Sequence, residues 1–415
     1  VVVALVAGAL LLAACGSDGK DTTGSGSTTT APAGTSSPLG KADAASGAPV
    51  KVGFVADGAT AAIDNSDAFS IAKAMTGYFD DHRGGIGGRP IELHTCDSGA
   101  DPGKAGDCAT EMIQADVEVV VIPSSAALAA TWKPLHDAGI PTFILSTTDD
   151  AVLKDTENTF ALTSPSAALI ELPISVAKEH KAKKVVGVII DVPAATAIYD
   201  EHGKELFGAA GLDFELVRIP LGQPDLTPQM ANVAKQKDIA VHIVGTDALD
   251  IAAIQGLEAA GFEGAISCLG CDADSARTAL GSKLEGITVV AQAASRGIAG
   301  DTTDADLYHA IVKQYASGVG DPDKQVSVYT FQAFSALRDA LDGITGEITS
   351  QTIIRKIKAM PSTDFPMFGK GQFRCNGKAS PLYPAACANV AVVAKLDATG
   401  HAGDLTVTNT EPIPD

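Results

Sequence analysis

The sequence predicts an α/β protein of two doubly wound, Rossmann-like lobes. Three observations carry that expectation. From Val50 onward, apolar runs of strand length alternate with longer segments of helical period. Many of these runs are unbroken Val, Ile and Leu, as parallel strands covered on both faces require. Two segments, HDAGIPTFI (136–144) and EAAGFEGAI (258–266), also repeat one design: a helix end, Ala-Gly, a short turn and an apolar strand. Gly139 and Gly261 suit the left-handed residue that closes a helix. AAGLDFELV (209–217) shows that the design marks strand–helix junctions generally, yet its spacing fits two similar lobes of about four or five strands each. Strand–helix alternation implies right-handed βαβ units, and 415 residues exceed what one hydrophobic core holds.

The elements follow in order. Residues 1–14, VVVALVAGALLLAA, carry no charge and stop at Cys15. That run is short for a membrane span and fits the apolar region of a signal peptide. Leu12-Ala13-Ala14-Cys15 resembles the bacterial lipobox, which implies cleavage before Cys15, a lipid on its sulfur and an outward-facing anchor. Residues 16–48 are rich in Ser, Thr, Gly, Pro and Ala without apolar periodicity, so a flexible tether is expected. Strands are expected at 50–57, 89–96, 117–123, 140–146, 183–191, 213–220, 239–245, 264–270 and 287–293. Helices are expected between them at 67–81, 102–115, 126–138, 166–180, 200–210, 248–260 and 274–280. After residue 294 the pattern changes to helices at 302–315, 326–344 and 350–360, then a cysteine-bearing end.

Composition removes several function classes. A formal net charge of −20 argues against nucleic acid or an anionic membrane surface as partners of the folded body. The eight histidines are scattered, with no H-x-x-x-H pair, so neither metal nor cofactor is expected. No G-x-S-x-G elbow supports hydrolase chemistry. The Gly-rich HRGGIGGRPIEL (82–93) follows a helix and precedes a strand, the reverse of a phosphate loop, and predicts a helix-to-strand turn. Setting Cys15 aside leaves six cysteines, which in an exported chain read as three disulfides with fifteen possible connectivities. Sequence proximity favours Cys96–Cys108, Cys268–Cys271 and Cys375–Cys387.

The informative chemistry lies at strand ends. Pro123-Ser124-Ser125 lies before the helix at 126, Ser146-Thr147-Thr148-Asp149 after the fourth strand, and Thr246-Asp247 before the helix at 248. Carboxyl ends of strands in open α/β sheets face the ligand crevice, where helix N-termini present unpaired N–H groups to anions. Hydroxyls there could hold a carboxylate, or they could simply cap their helices.

Several segments together carry a family resemblance: the loop after VKVGFVADG, YFDDHRGGIGGRPIELHTCDSGADPGKAGDCATEMI, the serine loop VVVIPSSAA, AGIPTFILSTT and YTFQAFSALRDAL. They resemble the Leu/Ile/Val-type (branched-chain amino acid) substrate-binding lipoproteins of ABC transporters over roughly residues 50–395. GGIxGRxIEL followed by D-x-x-x-D-P is the most specific part. The resemblance implies the periplasmic-binding-protein type I fold, with a ligand cleft between lobes joined by three crossovers, the third near residue 344. The lobes would comprise 49–163 plus 294–346 and 164–293 plus 347–410. Position by position, it implies that Ser124, Ser125, Ser146 and Thr148, with Thr147 between the last two, hold the ligand's carboxylate and help with its ammonium. In the second lobe a pocket tyrosine of the family falls near Thr196, and a strand-end aromatic near Thr246 or Asp247. The acid that meets an α-ammonium falls on or beside Gly270, where this chain has CLGC and the nearest acid is Asp272. A buried ammonium without an anionic partner is costly. Either Asp272 or Asp247 supplies the charge, or the ligand lacks an α-amino group.

The expected function is therefore that of a monomeric, lipid-tethered, extracytoplasmic solute receptor and not an enzyme. It would deliver a small carboxylate-bearing molecule, an amino acid or a related organic acid or amide, to ABC permease subunits. A ligand sensor or cell-envelope interaction protein on the same fold is the alternative. A third reading is a thiol oxidoreductase using Cys268 and Cys271, since C-x-x-C at a helix N-terminus lowers a thiol pKa.

Overall fold

A computed structural model of the chain describes residues 37–60, 64–290 and 297–415. Cys15, the run before it and residues 16–36 of the expected tether lie outside the described residues, as does the second half of the 287–293 run. Pro38–Asp415 forms one compact unit. Among the described residues no helix is long and apolar enough to cross a membrane.

Two parallel sheets organise the chain. The first contains β1 (Val50–Ala56), β2 (Ile91–Asp97), β3 (Val119–Ile122), β4 (Thr142–Ile144) and β5 (Thr159–Ala161). Their order is β2-β1-β3-β4-β5, and every pair is parallel. The second is built from β6 (Lys184–Ile190), β7 (Asp213–Ile219), β8 (Ile239–Val244), β9 (Ala265–Cys268) and β10 (Thr288–Val290). A small hairpin, β11 (Thr363–Asp364) and β12 (Gln372–Phe373), stands apart, and β13 (Val392–Lys395) and β14 (Thr406–Val407) extend the second sheet. Its order is β14-β13-β10-β9-β8-β6-β7, so the parallel part β7-β6-β8-β9-β10 repeats the order of the first sheet. β13 and β14 pair antiparallel on the edge. The nine expected strand runs are β1–β4 and β6–β10; β5 and β11–β14 have four residues or fewer and carry too little pattern to be read.

Alternate strand residues enter cores on opposite faces, which is the doubly wound arrangement. Val52, Phe54, Val119, Val121 and Phe143 pack with Ile71, Met75, Phe331 and Phe334 on one face of the first sheet. Val55, Val120, Ile122 and Ile144 pack with Met112, Leu128, Trp132 and Leu135 on the other. In the second sheet Val186, Val188, Val241 and Ile243 meet Met230, Leu249 and Ile254, while Val185, Ile189 and Ala240 meet Ile174, Tyr199 and Phe207. Each such side chain contributes on the order of 2 kcal/mol by leaving water. That is why the Val/Ile runs are unbroken.

Three expectations change. Residues 43–48 are not tether: Asp43 and Ala45 donate backbone N–H groups to Asp81 and Asp80, Ser46 to Gly88, and Arg89 binds the Ala48 carbonyl. Composition hides this because the contacts are made by main chain. The helix Ser350–Lys358, expected in the second lobe, packs Ile353, Ile354 and Ile357 into the core of the first sheet. Ser350 Oγ also bonds Glu118 O, and Lys358 Nζ bonds Thr156 O. Periodicity gives the helix's apolar face but not the sheet it covers. The last return to the second sheet consequently comes near residues 387–391, just before β13, rather than near 344. There Ala161 N bonds Ala385 O and Cys387 N bonds Ala161 O, tying the outgoing and returning chains together.

The glycine run 84–88 is the expected turn. Ile86 and Arg89 exchange both backbone hydrogen bonds around Gly87 and Gly88, whose φ values are 60° and 82°. Two consecutive positive values specify a type I′ turn, which glycine alone enters without strain.

All three disulfides form in the connectivity that sequence proximity favoured, with Cα–Cα distances of 5.5 Å (Cys96–Cys108), 5.7 Å (Cys268–Cys271) and 4.2 Å (Cys375–Cys387). Cys268 and Cys271 are fully buried. Beside them lies Asp250, also buried, with Oδ1 lacking any hydrogen-bond partner. Burial, and secondly the charge of Asp247, push the Asp250 carboxyl up to about 7.

Two predictions follow from these local features. A Cβ on Gly85, at φ 61°, would lie 2.0 Å from the Arg89 carbonyl oxygen, whereas Gly88 faces open space. Gly85→Ala is expected to cost about 3 kcal/mol or more and Gly88→Ala about 1–2 kcal/mol in urea unfolding. For Asp250, the folded state retains a proton that the unfolded chain has released between pH 4 and 7. Stability therefore falls as pH rises through that window. Asp250→Asn should flatten this dependence and be the more stable protein at pH 8 by up to a few kcal/mol, while matching wild type near pH 4; equal slopes in the two proteins would refute the assignment.

Candidate functional site

Because β1 and β3 are neighbours while β2 lies outside β1, the first sheet reverses its winding between β1 and β3. Ligand crevices of open α/β sheets form at such points, beyond the carboxyl strand ends. Here the reversal is occupied by a side chain that sequence reading passed over. Asp57 follows β1, is 6% exposed, and accepts hydrogen bonds from Ser98 Oγ (2.5 Å), Ser125 Oγ (2.9 Å) and Ala126 N (2.7 Å). Ser125 Oγ also accepts from Ala127 N at 3.1 Å. The acid thus ties the loops after β1, β2 and β3 into one unit. An acid directly after a buried strand, followed by Gly58, was the available signal.

This network positions the helix Leu128–Asp137. Its N-cap is Ala127, and no side chain caps it. Asp101, Asp149, Thr246 and Thr349 each cap a helix with a side-chain oxygen, whereas the helices that begin after Ser66, Val192, Leu226 and Ala273 are uncapped as this one is. The amides and dipole at the Leu128 end face a cleft of about 620 Å³ bordered by Ser124, Ser125, Ser146, Thr147, Thr148 and Asp149. A positive helix-dipole end favours an anion there.

All five first-lobe residues expected from sequence therefore come together. Their roles differ. The hydroxyl of Ser125 is committed to Asp57, and Thr147 Oγ1 accepts from Asp149 N at 3.0 Å. Ser124 and Ser146 are half-buried on the cleft wall, and Thr148 is exposed there.

A second cavity, about 220 Å³, adjoins this cleft and shares Ser146, Thr147 and Thr148 with it. Its walls come from both sheets: Leu145 at the end of β4, Val290 at the end of β10, and Val390–Val392 leading into β13. Tyr329, Gln332 and Phe368 close it, contributions from distant sequence that no local motif announced.

The second-lobe candidates are not brought to either cavity. Thr196 is 3% exposed and bonds back to Val192 O within its own helix. Thr246 caps the helix Asp247–Ala259 by accepting from Leu249 N at 3.4 Å. Asp247 Oδ2 accepts from Ser275 Oγ at 2.5 Å, and the backbone carbonyl of Asp272 accepts from Arg277. They stand beyond the carboxyl ends of β6, β8 and β9, the equivalent edge of the second sheet. The expectation that Cys268–Cys271 walls the cleft is corrected: both sulfurs lie in the core beneath the helix Asp247–Ala259, with Leu249, Ala253 and Ala276. Full burial also puts them out of reach of a disulfide substrate, which removes the oxidoreductase reading. Among the described residues the one group of three possible metal ligands is Asp250, Cys268 and Cys271, whose sulfurs are bonded to each other.

This geometry has known counterparts. The family model described as Periplasmic binding protein matches residues 49–395. No curated protein matches the chain. Among solved structures, a putative branched-chain amino acid ABC transporter protein from Silicibacter pomeroyi aligns with a TM-score of 0.65 at 16% identity, covering 86% of this chain and 96% of that one. The branched-chain amino acid transporter substrate binding protein LivJ from Streptococcus pneumoniae, in complex with isoleucine, aligns at 0.56 and 18%, covering 86% and 99%. A solute binding protein of an ABC transporter from R. palustris, in complex with benzoate, aligns at 0.54 and 18%, covering 88% and 98%. The family match runs from before β1 to the end of β13, and the chain belongs to the periplasmic binding protein family.

Proposed function

We propose that this chain is the extracytoplasmic solute-binding component of an ABC importer, anchored by a lipid on Cys15 and acting as a monomer. It binds a small carboxylate-bearing solute between its lobes and presents the closed form to permease subunits. The observation that carries the reading is the cleft that Asp57 organises: by fixing the loops after β1, β2 and β3 it sets the start of the Leu128 helix, Ser124, Ser146 and Thr148 around one space. In this reading the helix amides with Ser124, Ser146 and Thr148 take the carboxylate, while Ser125 and Thr147 shape the loops. Closure would bring Thr246, Asp247 and Asp272 over the ligand from the second lobe, with Thr196 supporting its helix. The lobes would meet at the crossovers near 162–166 and 387–391. Transport proteins of the same fold with isoleucine and benzoate bound agree with a small carboxylate. The family is one of binding proteins, which supports a non-enzymatic role.

The experiment is a thermal-shift screen of amino acids, amides and organic acids. A true ligand at a hundred times its Kd should add about 2.7 kcal/mol, a rise on the order of 5 °C. No shift with any of them would sink the proposal. A second expectation concerns Asp57→Ala, which strands the Ser98 and Ser125 hydroxyls and the Ala126 amide. It should destabilise the protein by about 2–4 kcal/mol and weaken any solute found by the screen at least tenfold. Urea unfolding and calorimetry read the two effects, and unchanged affinity would remove Asp57 from the site's support.

A further inference from the structure

The cavity between the sheets names the solute class more closely, resting on the binding-protein reading above. None of its lining side chains is Asp, Glu, Lys, Arg or His. Leu145, Val290, Tyr329, Phe368, Val390 and Val392 give it apolar walls. The polar chain behind the wall, Ser164 to Ser166 to Asn389, ends on Glu171, whose Oε1 already accepts from Asn389 Nδ2 at 2.8 Å. In the adjoining cleft Asp149 is the one acid, and its Oδ1 is spent capping Ala151 and Val152 amides. The two spaces share Ser146, Thr147 and Thr148 as lining, so the apolar cavity lies beside the cleft that the Leu128 helix borders.

We infer that the solute is an amphiphilic monocarboxylate, an acid head with an uncharged aliphatic or aromatic body lodged in this cavity. A second charge at the far end of the body would be desolvated there without a partner, which weakens binding. The body gains from apolar burial instead.

Calorimetry on the folded protein with three probes of one length, hexanoate, 6-aminohexanoate and adipate, tests this. Hexanoate should bind at least tenfold tighter than either doubly charged probe. Ala168 lines the cavity and is half-buried, so Ala168→Phe should fill the space and weaken hexanoate at least tenfold. Comparable affinities for the three probes, no binding of hexanoate, or full hexanoate affinity in Ala168→Phe would each overturn the inference. Should zwitterionic or sugar solutes stabilise the protein in the thermal screen while hexanoate does not, the inference fails and the solute-receptor reading stands. The probe series on the wild type decides the matter even where the variant does not fold.

Discussion

The site depends on one buried carboxylate. Asp57 is removed from water, and a buried charge persists only when its lone pairs are met. Ser98, Ser125 and Ala126 meet them, and these donors belong to the loops after β2 and β3, flanking β1 in the sheet. Satisfying one charge therefore fixes three loops at the point where the sheet reverses its winding. The chain nearby is built to the same end. Gly58 N donates to Asp97 Oδ1, and a Cβ on Gly58 would lie 2.2 Å from Asp97 Oδ2, so only glycine allows the approach. Cys96–Cys108 ties β2 to the helix Pro102–Gln114 from behind. A closed loop of about a dozen residues is worth roughly 3 kcal/mol in the chain-entropy account.

From this anchored edge the rest of the cleft is assembled by chain crossings. Ala161 exchanges backbone hydrogen bonds with Ala385 and Cys387, and Ser166 bonds Asn389. The Cys375–Cys387 disulfide secures the returning strand on the first-lobe side of that junction. The two chains cross side by side as a pair of short, hydrogen-bonded segments. Such a junction suits hinge closure, in which a few connecting residues absorb the backbone change. The apolar cavity lies directly against it, lined by Thr163, Ser164 and Pro165 on one crossing and Val390 and Ala391 on the other.

How much of this was legible in sequence follows from range. Unbroken Val/Ile runs and Ala-Gly junctions are local signals, and they placed β1–β4 and β6–β10. The hydroxyl clusters at 124–125 and 146–148 were legible because strand ends in parallel sheets share an edge, so position along the chain already implied position at the cleft. Asp57 was passed over because its significance lies in partners 41 and 68 residues away. Tyr329, Phe368 and Val390 reach the cavity only because the chain returns to the first sheet and crosses again, a path that the helix Ser350–Lys358 prolongs beyond the expected point. Pattern gives an element's buried face, and tertiary context chooses the neighbour.

The C-x-x-C of the second lobe illustrates the same limit from the opposite side. Its spacing drew attention as chemistry, yet its sulfurs are core atoms. What the staple does is set the path of residues 269–271 over Asp250, where a Cβ on Gly270 would stand 2.9 Å from Asp250 Oδ2. No hydrogen-bond donor reaches Oδ1, and the neighbouring Asp247 further disfavours a charge on it. The carboxyl is consequently held in its neutral form toward physiological pH. A carboxyl raised to about 7 carries less negative charge near neutral pH than an ordinary aspartate does. The loop above it, CLGC, also lacks an acid at Gly270. At that edge Asp247 is exposed and Asp272 half-buried. The cavity's walls carry no charged side chain, which is the feature the proposed solute would have to match.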